Sequence, residues 1–119
     1  MTRDLERPSW AENAPLRCCG FTTRSVPGPP ALACARQIHS ADIHHAVPGQ
    51  PPATGDGLWS TTPGLNVAVR VADCVPVLLW DPGVPAVAAV HAGWRGTAED
   101  IVGAALAVGA EIGVAPERI

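Results

Sequence analysis

Charged residues are scarce in this 119-residue chain, and lysine is absent from it. Charged residues make up 16% of the sequence, the formal net charge is −3, and the 8 basic residues are all arginines. The arginines are scattered and form no basic stripe or patch. Proteins that bind nucleic acids cluster their cations against phosphates. We therefore expect no nucleic-acid partner.

Long apolar runs and an export signal are also lacking. The longest apolar run, residues 84–90, contains a proline and is far shorter than the roughly 20 residues that cross a bilayer as a helix. Residues 1–7 include acidic side chains, and no apolar stretch follows them. That pattern is not typical of a secretory signal. We therefore expect a cytoplasmic protein with no membrane partner.

Aromatic residues amount to only 4% of the chain, whereas hydrophobic residues reach 47%. A chain this apolar and weakly charged folds around a core, which must be built mainly from Ala, Val, Leu and Ile. The length indicates one domain. The 4 cysteines are Cys18, Cys19, Cys34 and Cys74. Because cytoplasmic thiols stay reduced, burial or metal binding is a better interpretation of these cysteines than disulfides.

The chain divides into an irregular lead-in, residues 1–16, and a domain, residues 17–119. Apolar runs between turn residues predict strands at 19–23, 31–39, 67–71, 75–80 and 86–91, with loops at 25–30 and 48–57 and a turn at 81–83. The nearly continuous apolar runs indicate strands that are covered on both faces. A helix should follow, with Thr97 as its N-cap, Asp100 in an approximate capping box and Gly113 just beyond its end. Strands followed by a helix favour an α/β fold.

Three potential metal ligands lie at or between the predicted strand ends: His39, Cys74 and His91. Open α/β sheets place their sites at strand ends. One thiolate and two imidazoles suit zinc or copper, and three protein ligands leave a position for water or substrate, as in catalytic sites. The spacing alone leaves another interpretation open, because no CxxC or HExxH motif is present. Cys74 would then be a small buried hydrophobic residue, and His91 a core histidine.

Short motifs around these residues favour the metal site over the interpretation as buried structural residues. The sequence strongly resembles the multicopper polyphenol oxidase (laccase) domain family at four motifs. These are ADC at 72–74, HAGWRG at 91–96, QIHS at 37–40 and GDG at 55–57. Its members are also called laccase-domain purine nucleoside phosphorylases or peptidoglycan editing factors, and GFTTR at 20–24 is a fainter match. The resemblance implies a laccase-domain (YfiH-like) α/β fold, in which helices cover a mixed sheet. The chain looks truncated and internally shortened, and we expect about the N-terminal half of that fold.

The resemblance also implies a function and a set of site residues. It predicts Zn²⁺, with Cu²⁺ as the alternative, bound by His39, Cys74 and His91. The implied reaction is the cleavage of adenosine or inosine by phosphate into the base and ribose 1-phosphate, with adenosine deamination as an associated activity. The implied partners are therefore a small nucleoside and phosphate.

We predict catalytic roles for three further residues. Arg24 and Arg95 would bind phosphate, since guanidinium groups hold phosphate oxygens in pairs, and Arg70 is a weaker candidate. Asp73 would orient the neighbouring Cys74. For each arginine the alternative is an ordinary surface charge, and Asp73 could equally be a turn residue.

Several residues near the motifs have less specific interpretations. Asp56 could contact substrate, although Gly-Asp-Gly is also an ordinary turn. Trp94 is expected to pack rather than to stack on a purine. His44 and His45 are expected to be exposed or structural.

Other functions stay open at this point. The chain could be a non-catalytic or degenerate metal-binding fragment. It could be a cysteine hydrolase, with Cys74 as nucleophile and His91 as base. A copper-dependent polyphenol oxidase needs several clustered metals, for which 4 histidines are too few. A shortened sheet would leave open strand edges, so self-association through those edges is also expected.

Overall fold

The computed structural model describes residues 32–119. The predicted lead-in, the strand at 19–23, the loop at 25–30 and Arg24 lie outside the described residues. The elements of the described part are β1 Leu32–Cys34, β2 Ile43–His45, β3 Gly57–Ser60, β4 Asn66–Ala68, β5 Val75–Asp81, β6 Ala86–Ala92, α1 Trp94–Ala98, α2 Ile101–Glu111 and a short 3-10 helix, Pro116–Arg118.

The main sheet of the described residues has four strands in the order β2-β3-β6-β5. β2 pairs parallel to β3, whereas β6 runs antiparallel to both β3 and β5. β1 and β4 form a separate parallel pair. This mixed sheet with helices confirms the predicted α/β fold class.

Helix α2 covers one face of the main sheet. Trp59 of β3, Val90 of β6 and Ile101 of α2 are all 0% exposed and belong to one core cluster. The indole N–H of Trp59 donates to the carbonyl oxygen of Ala105 at 2.7 Å, which satisfies its buried polar atom inside the helix contact. The hydrogen bond fixes the position of α2 on the sheet.

The other face packs against the β1–β4 pair. Leu58 points to this side because side chains alternate along a strand, and it clusters with Ala35, Ala46 and Val67 of β4. The prediction that strands are covered on both faces is therefore confirmed for β6, where six of the seven residues are buried. It is wrong for β5, which is an edge strand of the main sheet and is mostly half-exposed.

Two predicted strands are shorter than expected. β1 ends at Cys34, so His39 does not lie at a strand end, and β4 ends at Ala68 instead of residue 71. After β1 the chain leaves the strand to run beside residues 53–56: the Arg36 N–H donates to Ala53 O at 2.8 Å. The strands at 75–80 and 86–91 and the turn between them are confirmed, with each strand one residue longer.

The start of the long helix was predicted at the wrong residue. Thr97 lies within α1, and its N–H donates to the Gly93 carbonyl oxygen at 2.9 Å. α2 begins at Ile101, and its N-cap is Asp100, whose side chain accepts from the Gly103 N–H at 3.1 Å. Gly113 follows α2 with φ +93°, a left-handed conformation that favours glycine. The predicted end of the helix is therefore confirmed.

Neither helix within residues 32–119 combines the length and the apolar character needed to cross a membrane.

Candidate metal centre

The fold brings His39, Cys74 and His91 together. Their ligand atoms all lie within 4.8 Å of one another. Cys74 directly precedes β5, and His91 is the last residue but one of β6. In the antiparallel pairing of these strands Pro76 lies opposite His91, so the start of β5 and the end of β6 share one edge of the sheet. The strand register therefore places the two ligands side by side.

His39 reaches the same place from a loop. Its φ of 60° is left-handed, which is uncommon for a residue other than glycine. The backbone N–H groups of Ile38, His39 and Ser40 all donate to the carboxylate of Asp56, at 3.1, 3.0 and 2.9 Å. Successive N–H groups that converge on an anion stabilise such a conformation. Asp56 thus holds the His39 loop in its shape.

Asp56 also holds His91. The His91 Nδ1–H donates to Asp56 Oδ2 at 2.7 Å, and both side chains are buried. Because this bond places the ring proton on Nδ1, the lone pair of Nε2 is left for a metal ion. The ring of His39 meets that of His91 edge-on, with centroids 4.9 Å apart.

The ionisation of Asp56 fits this role. Burial by itself raises the pKa of the carboxyl group, but the hydrogen bonds from Ser40, His91 and Ile38 outweigh it and lower the pKa to about 2. The carboxylate is therefore charged at neutral pH, and it accepts hydrogen bonds with both oxygens.

Gly93 provides the space between the ligands. A Cβ atom at this position would lie 3.1 Å from His39 Nδ1 and 3.5 Å from both Cys74 Sγ and His91 Cε1. The absence of a side chain leaves room beside all three ligand residues. Burial rises from exposed His39 through half-buried Cys74 to buried His91, so the site opens towards solvent on the His39 side. A thiolate and two imidazoles around such a space fit a zinc or copper ion with an open coordination position.

Two other predicted site residues, Asp73 and Arg95, lie close in sequence to Cys74 and His91 and are exposed. Asp73 is exposed in the bend before Cys74, and the carboxylate that hydrogen-bonds a ligand is Asp56. Arg95 is exposed, and its guanidinium carbon lies 5.5 Å from the centroid of the Trp94 ring. Trp94 is 75% exposed, so the prediction that it packs is wrong. It is the first residue of α1, a helix whose one buried residue is Gly96.

His44 and His45 are structural, as expected. The His44 Nε2–H donates to the Thr54 carbonyl oxygen at 2.8 Å, and His45 Nε2 hydrogen-bonds Thr61 Oγ1 at 3.0 Å. Cys34 is a free, half-buried thiol away from the ligand cluster.

Sequence reasoning missed two residues that shape the centre. Asp56 was considered as a substrate contact or turn residue, whereas it is fully buried and hydrogen-bonded to the His39 loop and to His91. Gln37 was quoted only as part of a motif, yet its side chain hydrogen-bonds Arg70 through both of its polar atoms. The sequence signal at Asp56, its two flanking glycines, did not distinguish a turn from close packing. In the structure a Cβ at Gly55 would lie 2.8 Å from the Asp42 carbonyl oxygen, so the segment is closely packed.

Comparison with known proteins agrees with the geometry. The sequence model of the family described as multi-copper polyphenol oxidoreductase laccase matches residues 21–119, which include all three ligands. A purine nucleoside phosphorylase of Deinococcus radiodurans is 40% identical over 90 residues, covering 74% of this chain and 34% of the relative. A purine nucleoside phosphorylase of Corynebacterium glutamicum is 42% identical over 97 residues, covering 76% and 39%.

Solved structures show the same fold. The Neisseria meningitidis protein NMB0706 superposes with a TM-score of 0.63 at 37% identity, covering 73% of this chain and 35% of that protein. YlmD of Geobacillus stearothermophilus superposes with a TM-score of 0.61 at 34% identity, covering 66% and 33%. The chain thus spans between a third and two fifths of the length of the curated relatives cited above.

Proposed function

The chain belongs to the multi-copper polyphenol oxidoreductase laccase family, and from that premise we propose that it is a zinc-dependent purine nucleoside phosphorylase. The reaction would be the cleavage of inosine or adenosine by phosphate into the base and ribose 1-phosphate. The observation that carries this proposal is the convergence of His39, Cys74 and His91 in a chain whose relatives are named purine nucleoside phosphorylases.

His39, Cys74 and His91 would hold the zinc ion. When bound by three protein ligands, zinc supplies a Lewis acid with one position open to water or substrate. Asp56 engages the Nδ1–H of His91 and so fixes the orientation of its ring, leaving Nε2 as the nitrogen that would bind the ion. Asp73, next to Cys74, stays a proposed orienting residue for the thiolate.

Arg95 is the proposed phosphate-binding residue in the described part of the chain. Within residues 32–119 it makes no ion pair, and its side chain is exposed. It lies two positions after Gly93, where an added Cβ atom would meet all three residues of the ligand cluster. A guanidinium group can hold two phosphate oxygens at once. Arg24 is proposed for the same role from the sequence alone.

The direct test is phosphorolysis by the purified, zinc-loaded chain. We expect hypoxanthine and ribose 1-phosphate from inosine only when phosphate is present, measured by chromatography. Cys74→Ala should abolish the activity because it removes a ligand, whereas Cys34→Ala, at a thiol outside the cluster, should retain it. No turnover by monodisperse, zinc-loaded protein would reject the proposal, and zinc uptake without turnover would identify a non-catalytic metal-binding fragment instead.

We also propose that the same site deaminates adenosine. Deamination needs an activated water but no phosphate. We expect inosine and ammonia from adenosine in phosphate-free buffer, and Arg95→Gln should spare this reaction while it lowers phosphorolysis. Equal loss of both activities in that variant would show that Arg95 does not act on phosphate.

One observation favours a second candidate, a cysteine hydrolase. Asp56, His91 and Cys74 are arranged so that a carboxylate orients an imidazole close to a thiol, which is the general arrangement of nucleophilic cysteine catalysis. Activity that survives removal of metal by a chelator but is lost on alkylation of Cys74 would support the hydrolase. Activity lost with the metal and regained with zinc would support the phosphorylase.

A copper-dependent polyphenol oxidase has less support. That chemistry needs several clustered metals, and one group of at least three potential ligands is found among residues 32–119.

A further inference from the structure

Cys74 is carried by an irregular segment, residues 69–74, between β4 and β5. This segment belongs to no strand or helix, and residues 70–73 are exposed. The pairing of β5 with β6 holds the end of the segment next to Cys74, so the position of the thiolate also depends on what holds the other end, next to β4.

The Gln37 side chain holds the segment at Arg70. Gln37 Oε1 accepts a hydrogen bond from the Arg70 backbone N–H at 2.7 Å, and Gln37 Nε2 donates to the Arg70 carbonyl oxygen at 2.8 Å. A primary amide offers a donor and an acceptor side by side, as the peptide group of a neighbouring strand would. These two hydrogen bonds tie residues 69–74 to the loop that carries His39.

The backbone around Gln37 is itself fixed on both sides. On one side, Arg36 donates to Ala53 O at 2.8 Å and accepts from the Gly55 N–H at 3.0 Å. On the other, the N–H groups of residues 38–40 donate to the buried carboxylate of Asp56. Gln37 therefore connects the anchored loop of His39 to the segment of Cys74.

We propose that Gln37 is a positioning residue of the metal centre, whose side chain fixes residues 69–74 so that the Cys74 thiolate meets His39 and His91. Preorganisation of a ligand lowers the entropy that binding must remove. Residues that orient metal ligands typically change metal affinity 10- to 100-fold when they are substituted. The inference depends on the proposed metal site but not on the proposed phosphorolysis.

The test compares the two glutamines of the chain. Gln37→Leu removes both hydrogen bonds to Arg70, and Gln50→Leu makes the same change at an exposed turn. Zinc affinity is measured by competition with a chromophoric chelator. We expect Gln37→Leu to weaken zinc binding by about tenfold or more and Gln50→Leu to leave it unchanged. The thiolate-to-cobalt charge-transfer band of the Co²⁺-loaded protein should weaken in Gln37→Leu alone.

A double-mutant cycle separates positioning of Cys74 from a general loss of structure. In a Cys74→Ala background the effect of Gln37→Leu on zinc affinity should largely disappear, because the thiolate that Gln37 positions is gone. If Gln37→Leu does not fold by circular dichroism, Gln37→Glu takes its place. That variant keeps an acceptor for the Arg70 N–H and loses the donor, so an intermediate affinity is expected.

Three results would overturn the inference. They are an unchanged zinc affinity in a folded Gln37 variant, an equal loss of affinity with and without the Cys74 thiol, and a wild-type chain that binds no zinc. A wild-type chain that binds zinc without phosphorolysis would contradict the proposed activity alone.

Discussion

At the scale of single residues, one buried carboxylate organises the candidate metal centre. Asp56 receives hydrogen bonds from the His39 loop through backbone N–H groups and from the His91 ring through Nδ1. It therefore fixes two of the three ligand residues, which come from different parts of the chain. Its own charge is stabilised by the same hydrogen bonds, so the loop, the carboxylate and the ring support one another.

Substitution of Asp56 should affect both stability and metal binding. In Asp56→Asn, the amide NH₂ would face groups that are themselves donors, because each carboxylate oxygen accepts at least two hydrogen bonds. A buried donor left without an acceptor costs about 1–3 kcal/mol, so we expect a loss of at least this size in the free energy of unfolding of the metal-free chain, measured in urea. Zinc affinity should fall about 10- to 100-fold.

Asp73→Asn is the matched control for that experiment. Asp73 is exposed and directly precedes Cys74, so the same chemical change should leave the free energy of unfolding within about 0.5 kcal/mol of wild type. If the Asp73 variant lost more stability than the Asp56 variant, the role assigned to Asp56 would be wrong.

The convergence of His39, Cys74 and His91 could be predicted from the sequence, whereas the groups that hold these side chains in place could not. Cysteine and histidine have few roles besides metal binding and catalysis when they occur in specific motifs, so residue type and motif together indicated His39, Cys74 and His91. An aspartate between glycines is typical both of an exposed turn and of a closely packed buried site. Only the three-dimensional structure shows that Asp56 is 0% exposed.

At the scale of elements, the helix start shows where local signals compete. Thr97 and Asp100 are both residue types that cap helices. The chain uses Asp100, with φ 57° and ψ 57°, because α1 ends at Ala98 and the chain must turn before α2. A cap motif alone does not say whether one helix or two follow.

Substitutions at Asp100 test this assignment. Asp100→Ala removes the side-chain acceptor for the Gly103 N–H and places alanine in a left-handed conformation, so we expect a loss of about 1–2 kcal/mol in the free energy of unfolding. Asp100→Gly also removes the acceptor but fits the left-handed conformation, and it should cost only a few tenths of a kcal/mol. Chemical denaturation measures both variants.

Thr97→Ala serves as the comparison for the two Asp100 variants. Thr97 is exposed inside α1 and its side chain caps neither helix, so the variant should match wild-type stability within about 0.5 kcal/mol. A larger loss in Thr97→Ala than in Asp100→Ala would restore the N-cap that the sequence predicts.

Strand boundaries followed the sequence where apolar runs met strong turn residues. β5 and β6 were predicted nearly residue by residue, because Asp81-Pro82-Gly83 separates two continuous apolar runs. Among the strands of residues 32–119, β1 and β4 pair only with each other, and each is shorter than its apolar run predicts. Strand propensity does not show at which residue the pairing between two such strands ends.

At the scale of the whole molecule, register explains why distant motifs meet. The motif residues predicted the family and hence the fold. The pairing of β5 with β6, which brings Cys74 beside His91, is a property of the sheet and cannot be read from either motif alone. β2 and β5 are the edge strands of the described main sheet, and self-association through open edges stays a prediction.

A second buried carboxylate ties the end of the described chain to the sheet. Asp81, the last residue of β5, is 0% exposed and accepts from the Arg118 Nε–H and Nη2–H, both at 2.9 Å. It also accepts from the backbone N–H groups of Gly83 at 2.8 Å and Ala115 at 3.0 Å. The β5–β6 turn and the 3-10 helix are therefore held by one charge.

This charge makes stability depend on pH in a predictable direction. The hydrogen bond from Arg118, with smaller contributions from Ala115 and Gly83, outweighs burial and lowers the pKa of Asp81 from 3.8 to about 2. A group whose pKa is lower in the folded state stabilises the fold above its unfolded pKa. That stabilisation is lost as pH falls through the folded pKa. Asp81 therefore contributes fully at neutral pH and loses its contribution below about pH 4.

Comparison of Asp81→Asn with wild type isolates that contribution. In metal-free protein, the free energy of unfolding of wild type should fall between about pH 5 and about pH 2, and the variant should be less stable at pH 7 but fall less steeply. Asp56 keeps some pH dependence in both proteins, because its pKa is also lowered to about 2. Arg118→Gln, which leaves the buried carboxylate without its cation, should also be less stable than wild type at pH 7. Because the folded pKa of Asp81 then rises towards its unfolded value, this variant should lose less stability than wild type as pH falls. Parallel pH profiles for wild type and Asp81→Asn would show that Asp81 does not couple protonation to folding.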